Sequence, residues 1–555
     1  MPRVQRGVVV PAPLGQARDN VVVTPLQVGA PTPAAPESAA AAPYGPAVAA
    51  RFAEPSTQYS TPGLAPERRG FTTNSELGQW LHNIATAAPR GPTQASVLQL
   101  GASQQGEPIL GLLLTRAKGM DMASLEANGR STVVLIGQQH GDEPAGSEAL
   151  LVVARELAQG LLEPLLDRIN VVVIPRANPD GATNGNRTTA NGVDMNRDHL
   201  LLNTPEARAL ARVVRDYRPI LVLDAHEFTV AGRYLQKFNA IQRYDALLQY
   251  TTTANYHEFL TKASQEWYHQ PMLGALQSQG MSSEWYYTTS TQPDDKRISM
   301  GGVQPDTGRN VNGLKNAVSL LVETRGVGLG RLHIQRRVHT QVTTITSALR
   351  STAERAADLE QVRSYVARDT ASKACKGQVV IEAQATPMQR ELTMLDPDTG
   401  ADRTLKVDWN SSLALRPAKS RPRPCGYCLA PHATPADARL HMLGVQVLRI
   451  AEPGALLADT YHETARETTE RTDVRGTIAG GSSIIRTQVT PVRSAIDVPA
   501  GSFYVPLNQG LAHLAVAALE PDTQSSYFAN RLIDELGSTA RVMTVPSLVF
   551  EESDE

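Results

Sequence analysis

His140 and Glu143 stand three residues apart in Gly137-Gln138-Gln139-His140-Gly141-Asp142-Glu143-Pro144, directly after the apolar run 133–136. Where a buried strand opens into a loop, an imidazole nitrogen and a carboxylate oxygen at this spacing can turn toward one point, as a catalytic metal ion requires. In a chain with 12 histidines such a pair arises by chance about once, so its neighbours in the sequence decide its meaning. The stretch 176–199 carries Asn178-Pro179-Asp180-Gly181, then Arg187, then Asn191-Gly192-Val193-Asp194-Met195-Asn196-Arg197. A loop that long inside a compact unit usually has a function. Leu221-Val222-Leu223-Asp224-Ala225-His226 brings a second histidine to a strand end, and Glu323 closes the apolar run 318–322. Partial burial there would raise a carboxyl's pKa toward the range of a general base.

These groups need a framework. Thr73 and Glu76 fit a capping box, and Leu77, Trp80, Leu81 and Ile84 recur at helical spacing behind it. The runs 96–100, 109–114, 133–137, 169–174 and 220–224 read as strands, with helices over 146–162 and after Thr204-Pro205-Glu206. Short, continuously apolar strands alternating with amphipathic helices predict an α/β fold, a mixed sheet with helices on both faces. Functional groups then collect where strands end in loops.

His140, Glu143, the Asn-Pro-Asp-Gly turn, Arg187, the Val-Asp-Met-Asn-Arg run, His226 and Glu323 occur in an order that resembles the zinc carboxypeptidases of the carboxypeptidase A type. Residues 101–109 also resemble a Gly-x-Ser-x-x-Gly-x-Pro-Ile turn carried by many members, and the resemblance covers roughly 71–330. It implies one zinc ion on His140, Glu143 and His226, a donor set that leaves a coordination position for water. It implies Asp194 as the acceptor that orients His140 and Glu323 as the general base and acid. Arg187 would stabilise the oxyanion. Asn196 and Arg197 would grip the substrate's terminal carboxylate. This chain also departs from the family pattern. The register of the usual mobile tyrosine falls on Gly301, with Tyr286 and Tyr287 upstream as substitutes or core aromatics. Asp142 replaces the arginine of the digestive enzymes, so His-Gly-Asp-Glu looks more like bacterial relatives that cut murein peptides. Arg309, near the expected pocket, would favour an acidic side chain or face solvent.

The rest of the chain sets bounds. Lys+Arg 53 against Asp+Glu 55 leaves a net charge of -2, which gives no global field for nucleic acid or anionic membranes, and no apolar run is long enough for a membrane span. Residues 1–70 hold 12 of 37 prolines and read as a Pro/Ala-rich arm or linker, with ordered folding expected from Thr73. The segment is consistent with a removed signal and so with a periplasmic or secreted protein. We expect a catalytic domain over 71–330, a helical connector over 331–372 and a β-rich accessory domain over 373–555, in which the short runs 379–382, 391–395 and 404–409 read as strands with a hairpin turn at Asp396-Pro397-Asp398-Thr399-Gly400, and whose 499–506 region resembles large bacterial members of the family. His462-Glu463-Thr464-Ala465-Arg466 begins like a zinc helix but lacks the second histidine. Cys425-Gly426-Tyr427-Cys428 has no partner pair for a four-sulfur site, and Cys375 lies far away in sequence.

Together these features predict a zinc-dependent metallocarboxypeptidase acting on a peptide or murein-peptide substrate. The alternatives are a murein-peptide amidase on the same centre, a deacylase, and a cell-wall or protein-binding module with a vestigial metal site.

Overall fold

The computed structural model describes residues 42–88, 91–481 and 483–551. Its centre is an eight-stranded sheet: β1 (Gln94–Ala102), β2 (Pro108–Thr115), β3 (Ser131–Gly137), β4 (Ile169–Ile174), β5 (Leu221–Thr229), β6 (Ala246–Tyr250), β7 (Ser283–Trp285) and β8 (Val318–Val327). Their spatial order is β1-β2-β4-β3-β5-β8-β6-β7. The middle strands β4, β3, β5 and β8 run parallel, and β2 and β6 flank them antiparallel. A mixed sheet is what the continuous apolar runs require, because both faces of the parallel strands are covered.

One face is covered by α1 (Asn74–Ala87), α2 (Pro144–Gln159) and the 39-residue α6 (Ile334–Ser372), the other by α4 (Pro205–Tyr217), with the short α3 (Pro179–Asn184) and α5 (Gly308–Leu314) between them in the chain. The predicted capping box is present at Thr73 and Glu76. The segment predicted as a helical connector forms one long helix that packs against the sheet. Ile345, Leu349, Leu359 and Val366 join the same buried cluster as Val133 and Leu223. Burial of each such side chain contributes about 1.5–3 kcal/mol.

Two strands extend past their expected ends. β5 continues through His226 to Thr229, and β8 through Glu323 to Val327. The pairing between β5 and β8 holds this far and places Glu323 opposite His226. Glu323 therefore sits within a strand, on rigid backbone, and not at its end.

Residues 1–41 lie outside the described residues. Ordered packing starts well before Thr73: Val48, Phe52 and Leu64 are buried, and Arg331 donates to the carbonyls of Gly63 and Gly70. Few apolar residues suffice here because the body supplies the other side of each contact.

Beyond α6 the chain is β-rich, as expected, but residues 42–551 form one compact unit. A long hairpin, β9 (Gln378–Leu395) and β10 (Asp402–Pro422), turns at the predicted Asp396–Gly400 segment. It pairs with Ile241–Gln242 and Ile298–Ser299 of the preceding region. A six-stranded sheet includes β11 (Gly426–Leu429), β12 (Gly454–Thr469), β15 (Ile484–Val498), β16 (Phe503–Pro506) and β17 (Thr539–Val542). Between β12 and β15 a small hairpin, β13 (Thr472–Asp473) and β14 (Gly476–Thr477), leaves this sheet. Cys425 is bonded to Cys375 and Cys428 is buried, so Cys425 and Cys428 do not act as a pair in metal or redox chemistry; residues distant in sequence are joined where α6 ends. His462 and Glu463 lie on strand β12, which confirms that they form no zinc helix. Among the described residues no helix is long and apolar enough to cross a membrane.

Candidate active site

His140 lies in the loop after β3, Glu143 caps α2, and His226 lies on β5. Pro144 at the first helical position fixes the chain just behind Glu143, since its ring is already set for a helix and its missing N–H costs nothing there. Gly141 allows the loop to close against the Asn178–Gly181 turn. A Cβ at Gly141 would fall 1.9 Å from the backbone of Gly181, so no larger residue fits.

The three side chains converge, with donor atoms all within 4.8 Å of one another. His140 Nδ1 is 2.8 Å from Glu143 Oε1, and His226 Nδ1 is 2.8 Å from Glu143 Oε2 and 3.1 Å from His140 Nδ1. The outer nitrogens are held from behind, His140 Nε2 by Asp194 at 3.1 Å and His226 Nε2 by Asp224 at 2.8 Å. Two buried imidazoles each turned by a carboxylate toward a third, shared carboxylate form a donor set that fits zinc. Burial opposes ionisation of Glu143, yet the adjoining histidines hold its carboxyl well below the usual range.

Glu323 faces this cluster from β8. It is 5% exposed, and its Oε2 has no hydrogen-bond partner. Burial first, and then the charge of Glu143, push its pKa up to about 7. Arg187 stands on the other side. Its Nη1 is 3.3 Å from Glu143 Oε1, while its Nε and Nη2 donate to Asp194 Oδ2 at 3.1 and 2.9 Å. Asp194 thus orients His140 and Arg187 together.

Asn196 and Arg197 form a single 3-10 turn beside the cluster, opened by Asp194, whose side chain accepts from the Asn196 N–H. Asn196 Oδ1 accepts from the Gly308 N–H at 2.9 Å. Arg197 is not free: its Nε and Nη2 donate to Asp473 Oδ2 at 3.0 and 2.6 Å, and its Nη1 to the Asn196 carbonyl. Asp473 comes from the hairpin of β13 and β14, which also inserts Arg475, whose Nη2 donates to the Tyr286 hydroxyl at 3.1 Å. His140, Arg187, Asn196, Arg197 and Glu323 line one small cavity of about 30 Å³, together with Tyr286, Arg309 and Arg475.

Tyr286 and Tyr287 separate clearly. Tyr287 packs into the core near Trp409, whereas the Tyr286 ring lies over Gly301. A Cβ there would come within 2.9 Å of the ring, and Gly301 has φ +84, which glycine tolerates best. Arg309 is buried beside it rather than facing solvent.

Three residues of the site escaped sequence reasoning. Asp224 had a readable signal, since Asp-x-His on a strand puts both side chains on one face. Asp473 and Arg475 had none, lying 276 residues or more from Arg197 in a polar stretch without a motif.

Residues 77–301 match the family model described as zinc carboxypeptidase. Carboxypeptidase 2 of Trichophyton rubrum is 27% identical over 399 residues, covering 71% of this chain and 72% of that protein. Carboxypeptidase D of Mus musculus is 29% identical over 228 residues, covering 34% of this chain and 16% of that protein. Among solved structures, a metallo-carboxypeptidase from Burkholderia cenocepacia aligns at 17% identity with a TM-score of 0.36, covering 50% of this chain and 68% of its own. The carboxypeptidase A of Helicoverpa armigera aligns at 14% identity with a TM-score of 0.38, covering 53% and 78%.

Proposed function

We propose, from the match of residues 77–301 to the zinc carboxypeptidase model, that the chain is a metallocarboxypeptidase that hydrolyses the C-terminal bond of peptides, with His140, Glu143 and His226 holding one zinc ion. The observation that carries this reading is the convergence of those three buried donors on one point, beside a cavity that His140, Glu323 and Arg187 line.

Zinc held there would supply Lewis acidity, drawing the pKa of water from 15.7 toward ~7 and polarising the substrate carbonyl. The remaining chemistry belongs to the chain's own residues. Glu323, rigid on β8 and with an unpartnered oxygen, takes a proton from the attacking water and delivers it to the leaving amine nitrogen. Burial and the charge of Glu143 raise its pKa above the usual carboxylate range, which favours transfer in both directions. Arg187, held by Asp194, donates to the oxygen that gains charge as the carbonyl carbon becomes tetrahedral. Asn196 and Arg197 receive the terminal carboxylate, with Asp473 and the Asn196 carbonyl fixing the plane of the guanidinium. Tyr286 takes the position over the substrate that the register of Gly301 leaves open. The bond between carbonyl carbon and nitrogen breaks, giving a shortened peptide and a free amino acid.

A profile of zinc-loaded protein over a peptide panel that includes diaminopimelate-containing murein peptides tests this. Loss of C-terminal residues from ordinary peptides supports the reading. Cleavage restricted to murein peptides would replace it with the amidase, and zinc binding without any hydrolysis would leave only a binding module.

A further inference from the structure

Four arginines line the cavity, and they differ in what balances them. Arg187 meets Asp194 and Glu143, and Arg197 meets Asp473. Arg309 and Arg475 make no ion pair among the described residues. Arg309 is 4% exposed, and its Nη2 donates to the Gly302 carbonyl at 3.0 Å and Thr252 Oγ1 at 3.5 Å, both neutral acceptors. Arg475 donates to the neutral Tyr286 hydroxyl, and its buried Nε has no partner. Both stand beside Gly301 and Tyr286: the Cβ position of Gly301 is 2.9 Å from the Tyr286 ring and 3.6 Å from Arg309 Nη2, and Arg475 bonds the Tyr286 hydroxyl.

A buried guanidinium without a counter-charge destabilises the free protein, because it gives up hydration for dipoles alone. Arg309 is in that position, and Arg475, half-buried and near the charges of Glu323 and Asp473, brings a second guanidinium with an unpartnered Nε to the same cavity, so an anion that enters there meets both. The substrate's terminal carboxylate already has Asn196 and Arg197. In a site that encloses a C-terminal residue, a second carboxylate has one source, the side chain of that residue. The planar fork of arginine is suited to receive it.

We propose that the cavity selects peptides ending in aspartate or glutamate, with Arg309 and Arg475 binding the side-chain carboxylate. Arg475 is thereby a specificity residue delivered to the site by the hairpin of β13 and β14. The inference rests on the carboxypeptidase reading of the same site.

The test compares kcat/KM for peptides identical except for a terminal Glu, Gln or Lys. The expected preference for Glu over Gln is at least about 30-fold, and about tenfold or more of it is lost in either Arg309→Met or Arg475→Met. Equal rates on Glu and Gln, or a preference untouched by both substitutions, would overturn the proposal. Calorimetry on the metal-free protein gives a second readout, using the products L-glutamate and L-glutamine as probes. Glutamate is expected to bind at least about tenfold tighter, and equal binding overturns the proposal. If no peptide is cleaved, the carboxypeptidase reading fails, while this binding difference still decides the charge preference of the cavity.

Discussion

Glu323 is asked to be a base in a place that disfavours its charge. Burial and the neighbouring Glu143 keep its proton on until about pH 7, and a protonated carboxyl takes no proton from water. The kcat/KM profile should therefore fall with unit slope as pH drops through this group's pKa. The charge of bound metal moves the midpoint below 7. Glu323→Gln should remove that limb and lower kcat by about 10²–10⁴-fold while zinc content stays unchanged; retained turnover would dismiss Glu323 as the base. Asp224 acts one step further from the reaction. Its hold on His226 Nε2 aims the opposite nitrogen at the metal, so Asp224→Asn should weaken zinc affinity by about 10–100-fold, as measured by competition with a chromophoric chelator. An unchanged affinity would mean that packing alone orients the imidazole.

At the scale of elements, legibility followed the length over which the determining contacts act. The capping box at Thr73 and the hairpin turn after Leu395 are local, and both were readable from the residues themselves; the helix expected from Gly146 begins two residues earlier, at Pro144. The 18- and 21-residue strands of the long hairpin were seen only as short fragments. Much of their length is exposed, so polar residues interrupt the apolar alternation. The disulfide between Cys375 and Cys425 was unreadable because it depends on two segments meeting 50 residues apart. It ties the end of α6 to the start of β11, and closing a loop of that size should stabilise the fold by about 4 kcal/mol. Denaturant titration of the reduced protein should show this loss with zinc binding retained at low denaturant; no change in midpoint would mean that the unfolded chain is not constrained there.

At the scale of the whole molecule, catalysis and framework are less separable than a division into 71–330 and 373–555 suggests. Leu200, Leu201, Val311 and Leu314 share a buried cluster with Tyr427, Val505 and Leu514, and Ile298 pairs with Trp409. A chain ending at residue 372 would expose that cluster, so it should aggregate or bind a hydrophobic dye strongly. A soluble, cooperatively unfolding truncation would restore the simpler division. The metal donors could be inferred because their motif sits within the stretch that matches the family, whereas the hairpin that brings Asp473 and Arg475 depends on the complete fold. The central claim is that His140, Glu143 and His226 hold the zinc of a carboxypeptidase. Mass spectrometry tests it most directly, following one peptide and its C-terminal amide together, with zinc-loaded protein and after chelation. Stepwise loss of residues from the free acid alone, abolished by the chelator and restored by zinc, is the predicted result. Internal cleavage, equal trimming of the amide, or activity that survives chelation would contradict it.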